Sequence, residues 1–418
     1  MAMKIAEDFK IRVGIMTAPK IDVEFHGVYM RLGNQYQPVS GDSYFTLQAV
    51  AIGKGFHWER KEEQSFNGTL ELIDTGNLTT AVNILPLEEY LRSVISSEMA
   101  ATTHPQLLMA HAIISRTWAL SILLGKNGNS IAYTTQEEDI PADATVRWYD
   151  ADAHEGYDVC ADDHCQRYQG ITRITRPEVD NAVKQTEGMV LTSDGILCDA
   201  RYSKCCGGAF EEFNTCWGSY RHPYLVRGRD IIPNHTLPDL TDEANARRWI
   251  LDRPDAFCSD VPASALNQIL NSYDRENFIS PGNDYYRWHI TYRPGELEAI
   301  LREKTGLDFG TVTALRPLRR GVSARIWLLE VVGEKATHIF GKELEIRRVL
   351  STSHLPSSAF VASRQADGSW CLDGGGWGHG VGLCQIGAAV MALRGFNYRQ
   401  ILTHYYPGSQ IQVAREIF

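Results

Sequence analysis

The 418-residue sequence lacks a basic excess, because 51 acidic residues outnumber 41 lysines and arginines and give a net charge of −10 at pH 7. A general nucleic-acid-binding protein usually carries a basic surplus, so we expect no nucleic-acid partner. Internal repeats and low-complexity tracts are also missing from the sequence. Apolar residues make up 44% of the chain, close to the globular norm, which excludes disordered and collagen-like classes.

The N-terminus has little apolar character. The first eight residues, 1–8, contain Glu7 and Asp8 where the apolar core of a signal peptide should begin. The pattern therefore predicts no signal peptide in this sequence. On this basis the chain either stays in the cytoplasm or derives from a precursor whose targeting segment has been removed.

A single long apolar run occupies residues 107–124, and it contains His111 and Arg116 near its centre. A central arginine costs about 2.5–3.5 kcal/mol in a membrane even on a mild insertion scale. The run therefore predicts a buried helix and no transmembrane segment. A buried Arg116 must be paired or must line a cleft. His111 is more typical of a hydrogen-bonded core histidine than of a catalytic one.

Cysteine is absent before Cys160, although the chain contains nine cysteines, an odd number, and seven lie between Cys160 and Cys258. Cys160, His164 and Cys165 are zinc-ligand types at short spacing, but a structural zinc site usually has four ligands. The fourth would come from elsewhere in the chain or from water. A disulfide and a set of free thiols are the alternatives. A cysteine-peptidase site at the Cys205-Cys206 pair is a further alternative.

The order of sequence patterns predicts an α+β fold. Alternating strands fill roughly the first 85 residues, two helices begin near Pro86 and Pro105, and strands return between residues 311 and 365. We expect a mixed, strand-rich body with two adjacent helices and a cleft between two lobes. The predicted division of the chain is 1–230, an inserted lobe at 231–310, and 311–418.

The first predicted helix places a carboxylate on its apolar face. Its stripe extends by one helical step to Glu98, whereas Glu88 and Glu89 fall on the opposite face and are expected to be solvated. A buried carboxyl group has a raised pKa, which suits a general acid near neutral pH. The alternatives are that the helix frays and Glu98 points to water, or that Glu98 pairs with Arg116. The stripe consists of Leu87, Leu91, Val94 and Ile95.

A glycine-rich loop, Gly374 to Gly382, precedes the last predicted long helix. Six glycines in nine residues allow the backbone to approach a ligand closely, and the helix start offers free N–H groups. The loop has no Gly-Lys-Ser/Thr ending, so it is not a phosphate-binding P-loop. His379 and Gln385 are candidate ligand contacts. A tight structural turn is the alternative.

Several blocks together resemble the stage II sporulation protein D (SpoIID/LytB) family. They occur in the order of the family and span most of the chain, with residues 231–310 poorly covered. The blocks are Leu85–Leu91 continuing to Ser97-Glu98-Met99, Ala110–Thr117, Tyr202-Ser203 with Cys206-Gly207-Gly208, Gly376–Gly382, and Tyr405–Gly408.

This resemblance implies a lytic transglycosylase that acts on peptidoglycan glycan strands, with a preference for strands stripped of their stem peptides. The implied catalytic acid is Glu98, and some family members bind zinc at positions that correspond to Cys160 and Cys165, here with His164 between them. The implied location is the cell envelope or periplasm. The expected substrate contacts are Arg116, Tyr202, Ser203, His379 and Gln385.

Two other functions stay open on the sequence. Some family members are described as amidase enhancers, so the chain could be a non-catalytic glycan-binding module with an amidase partner. The cysteine cluster and the missing signal peptide would also fit a cytoplasmic metal-dependent hydrolase. Zinc, if present, is expected to be structural, because cysteine and histidine ligands do not supply the acid that transglycosylation needs.

Overall fold

The described part of the chain combines several small β-sheets with helices, which confirms the α+β fold class. A computed structural model describes the backbone of residues 9–54, 59–125, 134–135, 138–148, 154–174, 176–233, 236–270 and 284–417, and the side chains of these ranges except 134–135. The cleft between two lobes and the division at residues 230 and 310 stay predictions.

The N-terminal part is antiparallel sheet. In β1 the side chains of Ile11, Val13 and Ile15 alternate into the core, as the period-two pattern predicts. β1 pairs antiparallel with β8, and on its other edge it pairs in parallel with the short strand Val159–Cys160. The strands are β1 (Lys10–Ala18), β2 (Val23–His26), β3 (Tyr29–Leu32), β4 (Gln35–Pro38), β5 (Tyr44–Ile52), β6 (Arg60–Asn67), β7 (Thr69–Asp74) and β8 (Thr79–Pro86).

Two helices follow directly, α1 (Leu87–Glu98) and α2 (Pro105–Gly125). The apolar stripe of α1 is buried, as its helical spacing predicts. α2 is long and apolar enough to cross a membrane, but 78% of its most apolar window is buried inside the protein. This agrees with the predicted core helix.

The buried Arg116 of α2 is paired, but its partner is not the one that the sequence suggested. Its Nε and Nη2 donate to the two carboxylate oxygens of Glu88 on α1, at 2.7 and 2.6 Å. A third guanidinium nitrogen donates to the carbonyl of Met189 at 3.1 Å. The expectation that Glu88 is solvated was therefore wrong, since Glu88 is only 8% exposed. A fully buried arginine requires this counter-charge.

Among its described residues, the middle of the chain contains the α-helix α3 (Pro177–Gln185) and several short strands. Among the latter, the strand that begins at Val159 pairs with β1 and so fixes Cys160 beside the N-terminal sheet. The elements are β9 (Thr134–Thr135), β10 (Thr145–Val146), β11 (Val159–Cys160), α3 (Pro177–Gln185), β12 (Met189–Ser193), β13 (Ile196–Leu197), β14 (Tyr202–Ser203), β15 (Ala209–Phe210), β16 (Tyr220–Arg221) and β17 (Gly228–Arg229).

The remainder of the described chain returns to sheet, and its last two α-helices are followed by a final strand. The strand that starts at Leu383 pairs in parallel with β14, which joins two segments about 180 residues apart. The elements are α4 (Glu243–Asp252), α5 (Ala263–Ile269), β18 (Arg287–Tyr292), α6 (Glu296–Thr305), β19 (Val312–Arg320), β20 (Ile326–Gly333), β21 (Thr337–Gly341), α7 (Glu343–Val349), β22 (Phe360–Arg364), β23 (Trp370–Gly375), β24 (Leu383–Cys384), α8 (Gln385–Leu393), α9 (Tyr398–Tyr405) and β25 (Gln410–Val413).

The helix α2 lies between two hydrophobic clusters. Ile113 and Ile114 pack into a cluster that includes α8 and α9. Leu108 and Trp118, on another face, pack with α1 and the N-terminal strands. Residues from the 231–310 range contribute to the first of these clusters and to a separate cluster around β19 and β20. The catalytic candidate Glu98 therefore lies where α1, α2 and α8 meet.

We expect Glu88→Gln to destabilise the protein strongly. The substitution leaves the guanidinium of Arg116 buried without its counter-charge, and breaking a buried pair in this way typically costs about 3–5 kcal/mol. Urea unfolding measures the change. Glu89→Gln on the same helix is the matched control, because Glu89 pairs with the partly exposed Arg92 and should contribute less than about 1 kcal/mol. Equal losses for the two variants would contradict this structural role.

Candidate functional site

A cavity of about 240 Å³ lies at the C-terminal end of α1. It brings together seven of the residues that the sequence singled out and adds others that it did not. Concave sites with aromatic walls and converging polar groups are the usual form of a ligand site. The lining residues are Glu98, Trp118, Asp163, His164, Cys165, Gln166, Arg167, Arg201, Tyr202, Ser203, Lys204, Cys216, Trp217, Glu343, Leu344, Arg347, Trp377, Gly378, His379 and Gln385.

The half-buried carboxylate of Glu98 accepts hydrogen bonds from three directions. Its Oε1 accepts from the backbone N–H of Arg167 at 3.0 Å and from the hydroxyl of Tyr202 at 3.2 Å. Its Oε2 accepts from the amide of Gln385 at 3.4 Å. The ammonium of Lys204 donates to the backbone carbonyl of Glu98 at 3.1 Å. The last residue of α1 is thus held in one orientation at the cavity wall.

A chain of hydrogen bonds continues behind Glu98 into the core. The amide nitrogen of Gln385 lies 3.2 Å from Nε2 of His111, and Nδ1 of His111 lies 3.1 Å from the hydroxyl of Ser115. Burial lowers the pKa of His111 to about 4. The imidazole is therefore neutral near pH 7, so it can accept from Gln385 on one side while it donates to Ser115 on the other.

The pairing of β14 with β24 explains why these residues meet. Tyr202 lies opposite Leu383 and Ser203 opposite Cys384, so Gln385 starts α8 next to Tyr202. The Tyr202 ring also packs edge-on against the His111 ring, with centroids 4.6 Å apart. The strand pair thus carries one side chain that contacts Glu98, Tyr202, and leads directly into the second, Gln385.

Glu98 differs from the other acids that line the cavity. Asp163 forms an ion pair with Arg167 at 2.7 Å, and Glu343 lies 3.5 Å from Arg347. In the described part of the chain, the three donors to the Glu98 carboxylate are a backbone N–H, a hydroxyl and an amide, and none of them carries a charge. Glu98 is therefore the cavity acid best suited to exchange a proton with a ligand.

Cations and an aromatic ring that the sequence motifs did not indicate also line the cavity. Arg201 donates to Asp199 at 2.7 Å and stacks over Trp217, with 4.4 Å between the guanidinium carbon and the ring centroid. Lys204 lies two residues after Tyr202. Both cations flank the Tyr202-Ser203 block, so their proximity in sequence was a usable signal. Trp217 lies outside every block, and nothing local pointed to it.

The glycine-rich loop contributes both to the cavity and to the turn itself. Trp377, Gly378 and His379 line the cavity, whereas Gly380 has a φ of +75° and contacts the guanidinium of Arg325. A side chain at Gly380 would overlap Arg325, so this glycine is required by the fold. The residue that the turn requires, Gly380, and the residues that line the cavity are therefore different residues of one loop.

His379 is held as a neutral imidazole. Its Nδ1 accepts from the backbone N–H of Val381 at 3.0 Å, which leaves the ring proton on Nε2. Burial and the nearby guanidinium groups of Arg201 and Arg325 keep the pKa of His379 well below its usual value. Its ring packs edge-on against Trp217 at 4.9 Å. His379 therefore lines the cavity as an uncharged ring.

Ser203 has an unused polar group. It is 7% exposed and lines the cavity, and within the described residues its hydroxyl has no hydrogen-bond partner. A buried hydroxyl without a partner is unfavourable unless a ligand or water satisfies it. This supports the predicted contact of Ser203 with substrate.

Arg116 is the predicted substrate contact that the structure does not bring to the cavity. The Glu88 pair and the carbonyl of Met189 use its guanidinium inside the core. The structure gives it a packing role, and the substrate-contact assignment is corrected accordingly. The apolar surroundings of Arg116 allowed both readings, because sequence alone did not identify its partner.

A four-residue cluster surrounds the predicted metal ligands. His154 joins Cys160, His164 and Cys165, and their ligand atoms all lie within 4.8 Å of one another. Nε2 of His154 lies 3.3 Å from the thiol of Cys165, and Nδ1 of His164 lies 3.6 Å from the same sulfur. His154, six residues before Cys160, is therefore the candidate for the fourth ligand that the sequence left open. Two cysteines and two histidines are a common donor set for structural zinc.

The same cluster is linked to Glu98 through its own loop. Cys165 and His164 line the cavity, and Arg167, two residues after Cys165, supplies the backbone N–H that Glu98 accepts. Hydrogen bonding from Cys165 lowers the pKa of the Cys160 thiol, whereas that same contact and burial raise the pKa of Cys165.

Two protein families match parts of the chain that help to form this site. Residues 75–193 match the family described as Stage II sporulation protein. The chain carries a SpoIID domain. Residues 211–382 match a second family, described as a domain of unknown function (DUF8618). The SpoIID match contains Glu98 and the four-residue metal cluster, whereas His379 lies in the second match.

Similarity to individual SpoIID relatives extends over most of the chain. The amidase enhancer of Bacillus subtilis (strain 168) is 24% identical over 333 residues, which are 77% of this chain and 40% of that protein. Stage II sporulation protein D of the same organism is 24% identical over 341 residues, 80% of this chain and 76% of that protein. The chain thus spans less than half of the first relative and about three quarters of the second.

We expect the stability of this protein to fall as the pH drops from about 6.5 towards 4. Over that range the unfolded chain protonates His111, whereas the folded protein keeps it neutral, so the unfolded state binds more protons. The pKa difference corresponds to up to about 3 kcal/mol. Urea unfolding at a series of pH values should show a steeper slope for the unmodified protein than for His111→Asn. Parallel pH profiles for the two proteins would refute this role of His111.

Proposed function

We propose that this chain has a cell-wall role and that it is a lytic transglycosylase, which cleaves the bond between N-acetylmuramic acid and N-acetylglucosamine in peptidoglycan. The observation that carries the proposal is the Glu98 carboxylate, oriented by three uncharged donors at the wall of the cavity. The SpoIID match over residues 75–193 and relatives with sporulation and amidase-enhancer names support the cell-wall role. The corresponding location is the cell envelope.

The proposed reaction uses one carboxyl group twice. Protonated Glu98 gives its proton to the glycosidic oxygen as the bond to C1 of the muramic acid breaks. The resulting carboxylate then takes the proton of the C6 hydroxyl, whose oxygen bonds to C1 and closes a 1,6-anhydro ring. Ordinary glycosidases need a second carboxylate to activate water or to attack C1. Here the C6 hydroxyl is the nucleophile, so a second acid is unnecessary.

The hydrogen bonds to Glu98 serve this cycle. Tyr202, Gln385 and the N–H of Arg167 stabilise the carboxylate that forms after the first proton transfer, and they keep it aimed at the cavity. The neutral ring of His111 accepts a hydrogen bond from the Gln385 amide and so holds this side chain in place. Positioning of this kind avoids reorganisation during the reaction.

The remaining cavity residues suit a glycan strand without stem peptides. Ser203 offers a hydroxyl to sugar hydroxyl groups, His379 offers an uncharged polar ring beside it, and the rings of Trp217 and Trp377 offer flat apolar faces. The lactyl group of muramic acid ends in a free carboxylate once its peptide is removed. Lys204, whose ammonium donates to the backbone carbonyl of Glu98, supplies a positive charge for that carboxylate.

A second function is favoured by one relative. Because the amidase enhancer of Bacillus subtilis matches 77% of this chain, the domain could bind glycan and assist an amidase partner without cleaving sugar bonds itself. Product analysis separates the two functions. Anhydro-muramic ends indicate the transglycosylase, and unchanged glycan that remains bound to the protein indicates the binding module.

We also propose that His154, Cys160, His164 and Cys165 hold a structural zinc ion. Four nitrogen and sulfur ligand atoms within 4.8 Å of one another fit a single tetrahedral ion. When bound, the ion would supply no acid or base, only a rigid link between these four residues. The link would fix the loop whose Arg167 N–H donates to Glu98.

We expect Glu98→Gln to reduce the release of anhydro-sugars from peptide-free glycan by at least about a hundredfold. Glutamine keeps the size of the side chain but cannot cycle a proton, and general acid–base catalysis typically contributes about 10²–10⁴-fold. Mass spectrometry of the released products measures the rate. Binding of intact glycan, measured by co-sedimentation, should be retained.

Glu89→Gln is the control for this substitution, since Glu89 lies on the same helix, pairs with Arg92 and does not line the cavity. Its activity should stay within about twofold of the unmodified protein. Near-normal release of anhydro-sugars by Glu98→Gln would refute the single-acid mechanism. If the unmodified protein bound glycan but released no sugar, the binding-module function would replace the enzyme.

We expect the double substitution Cys160→Ser/Cys165→Ser to remove about one equivalent of zinc from protein purified under reducing conditions without added metal. Serine keeps the size of each side chain but loses the thiolate that binds zinc. Elemental analysis before and after substitution gives the difference. A difference of less than about a tenth of an equivalent, or a Cys160–Cys165 disulfide found by intact mass in the purified protein, would contradict a zinc site here.

A further inference from the structure

A second cluster of metal-ligand types lies in the core, apart from the cavity. The thiols of Cys206, Cys258 and Cys384 and the carboxylate of Asp230 all lie within 4.8 Å of one another. Each of these residues is at most 3% exposed. None of them lines the cavity of Glu98 or belongs to the His154 cluster.

The four residues come from separate parts of the chain. Cys206 follows β14, Asp230 follows β17, Cys258 lies between α4 and α5, and Cys384 caps the start of α8. Chance clustering of cysteines in one helix or turn therefore does not explain the arrangement. The fold brings four separate segments to one point, and each segment provides one ligand-type side chain.

We propose that Cys206, Asp230, Cys258 and Cys384 form a buried site for one thiophilic divalent cation, zinc above all. The sulfur atoms of Cys206 and Cys258 lie 3.7 Å apart. Four ligands at a zinc–sulfur distance of about 2.3 Å form a tetrahedron with edges of about 3.8 Å. One ion can therefore contact all four side chains, which favours a single metal over a multi-iron cluster.

Backbone N–H groups already point at the proposed ligands. The sulfur of Cys384 accepts from the N–H of Cys206 at 3.2 Å and from the N–H of Gly387 at 3.4 Å, on the first turn of α8. The N–H of Cys258 donates to the carboxylate of Asp230 at 3.1 Å. Such donors around a metal site orient the ligands and offset part of their negative charge.

Asp230 provides an independent reason for a cation. The residue is 0% exposed, and within the described residues its carboxylate contacts the Tyr405 hydroxyl at 2.7 Å and the Cys258 N–H. His404 is its basic neighbour, with Nε2 at 3.7 Å, beyond hydrogen-bond distance. A buried carboxylate is stable when it is paired or bound to a metal. A cation among three thiolates beside it meets that requirement.

Cys205 is a fourth cysteine at the edge of this cluster. Its thiol contacts those of Cys258 and Cys384, but it is not among the four groups whose ligand atoms all lie within 4.8 Å of one another. We therefore assign Asp230 as the fourth ligand. Substitutions at Asp230 and Cys205 distinguish the two assignments.

The experiment uses the full chain with the first cluster disabled by Cys160→Ser/Cys165→Ser. Elemental analysis of this protein, purified under reducing conditions without added metal, should still find about one zinc per chain. Adding Cys384→Ser should lower the content below about a tenth of an equivalent. Serine is a preferred helix N-cap, so the start of α8 keeps its capping group. Cys371→Ser, on β23 and outside both clusters, is the matched control and should leave the zinc content unchanged.

A second measurement does not depend on the folding of these variants. Cobalt(II) added to the metal-free Cys160→Ser/Cys165→Ser protein should give the strong absorption of a tetrahedral cobalt–thiolate site. Absence of both zinc and this absorption would overturn the proposal, as would a Cys206–Cys258 disulfide in the purified protein. Retention of the metal by Asp230→Asn and its loss from Cys205→Ser would overturn the assignment of Asp230.

Discussion

The polar side chains on the buried helix α2 are the constraint on which the rest of the site depends. α2 packs between two hydrophobic clusters, so each of its polar groups must find a partner inside the protein. Arg116 forms an ion pair with Glu88 of α1, and His111 forms a hydrogen bond with Gln385 of α8. The hydroxyl of Thr117 accepts the N–H of Leu191 from β12 at 2.9 Å. Three neighbouring elements are thereby fixed in register against one helix.

This arrangement decides where the carboxylate of Glu98 lies. The Glu88–Arg116 pair anchors the first turn of α1, and Glu98 is the last residue of the same helix. Gln385 forms hydrogen bonds with both His111 and Glu98. The packing of α8 against α2 therefore helps to fix the position of the Glu98 carboxylate. A site placed on packed helices is held more accurately than one placed on loops. The proposed chemistry of Glu98 therefore depends on the packing of the protein core.

Local patterns in the sequence predicted the features that depend on local geometry. The apolar stripe of α1 placed Glu98 on an inward face because helical periodicity is a property of one segment. The close spacing of Cys160, His164 and Cys165 indicated a cluster for the same reason. The solvated position expected for Glu88 was wrong, since the pairing with Arg116 joins two helices across the core.

Contacts between distant segments were not predictable in this way. The β14–β24 pair joins residues about 180 positions apart, and it alone brings Tyr202 beside Gln385. Asp230 and Cys258 carry no local signal that connects them to Cys206 or Cys384. His154 stands six residues from Cys160, a spacing outside the common zinc patterns. Long-range pairing needs the whole fold, and single-sequence periodicity contains no record of it.

Each of the two cysteine clusters adjoins, in sequence, a residue that donates a hydrogen bond to the carboxylate of Glu98. The His154 cluster adjoins the loop whose Arg167 N–H donates to Glu98. Cys384 of the buried cluster directly precedes Gln385, whose amide also contacts Glu98. An ion in each cluster would therefore restrain one donor to Glu98 without touching the substrate. Rigidity at both donors would preorganise the acid, so the metal content and the rate of sugar release should vary together even though no metal takes part in the reaction.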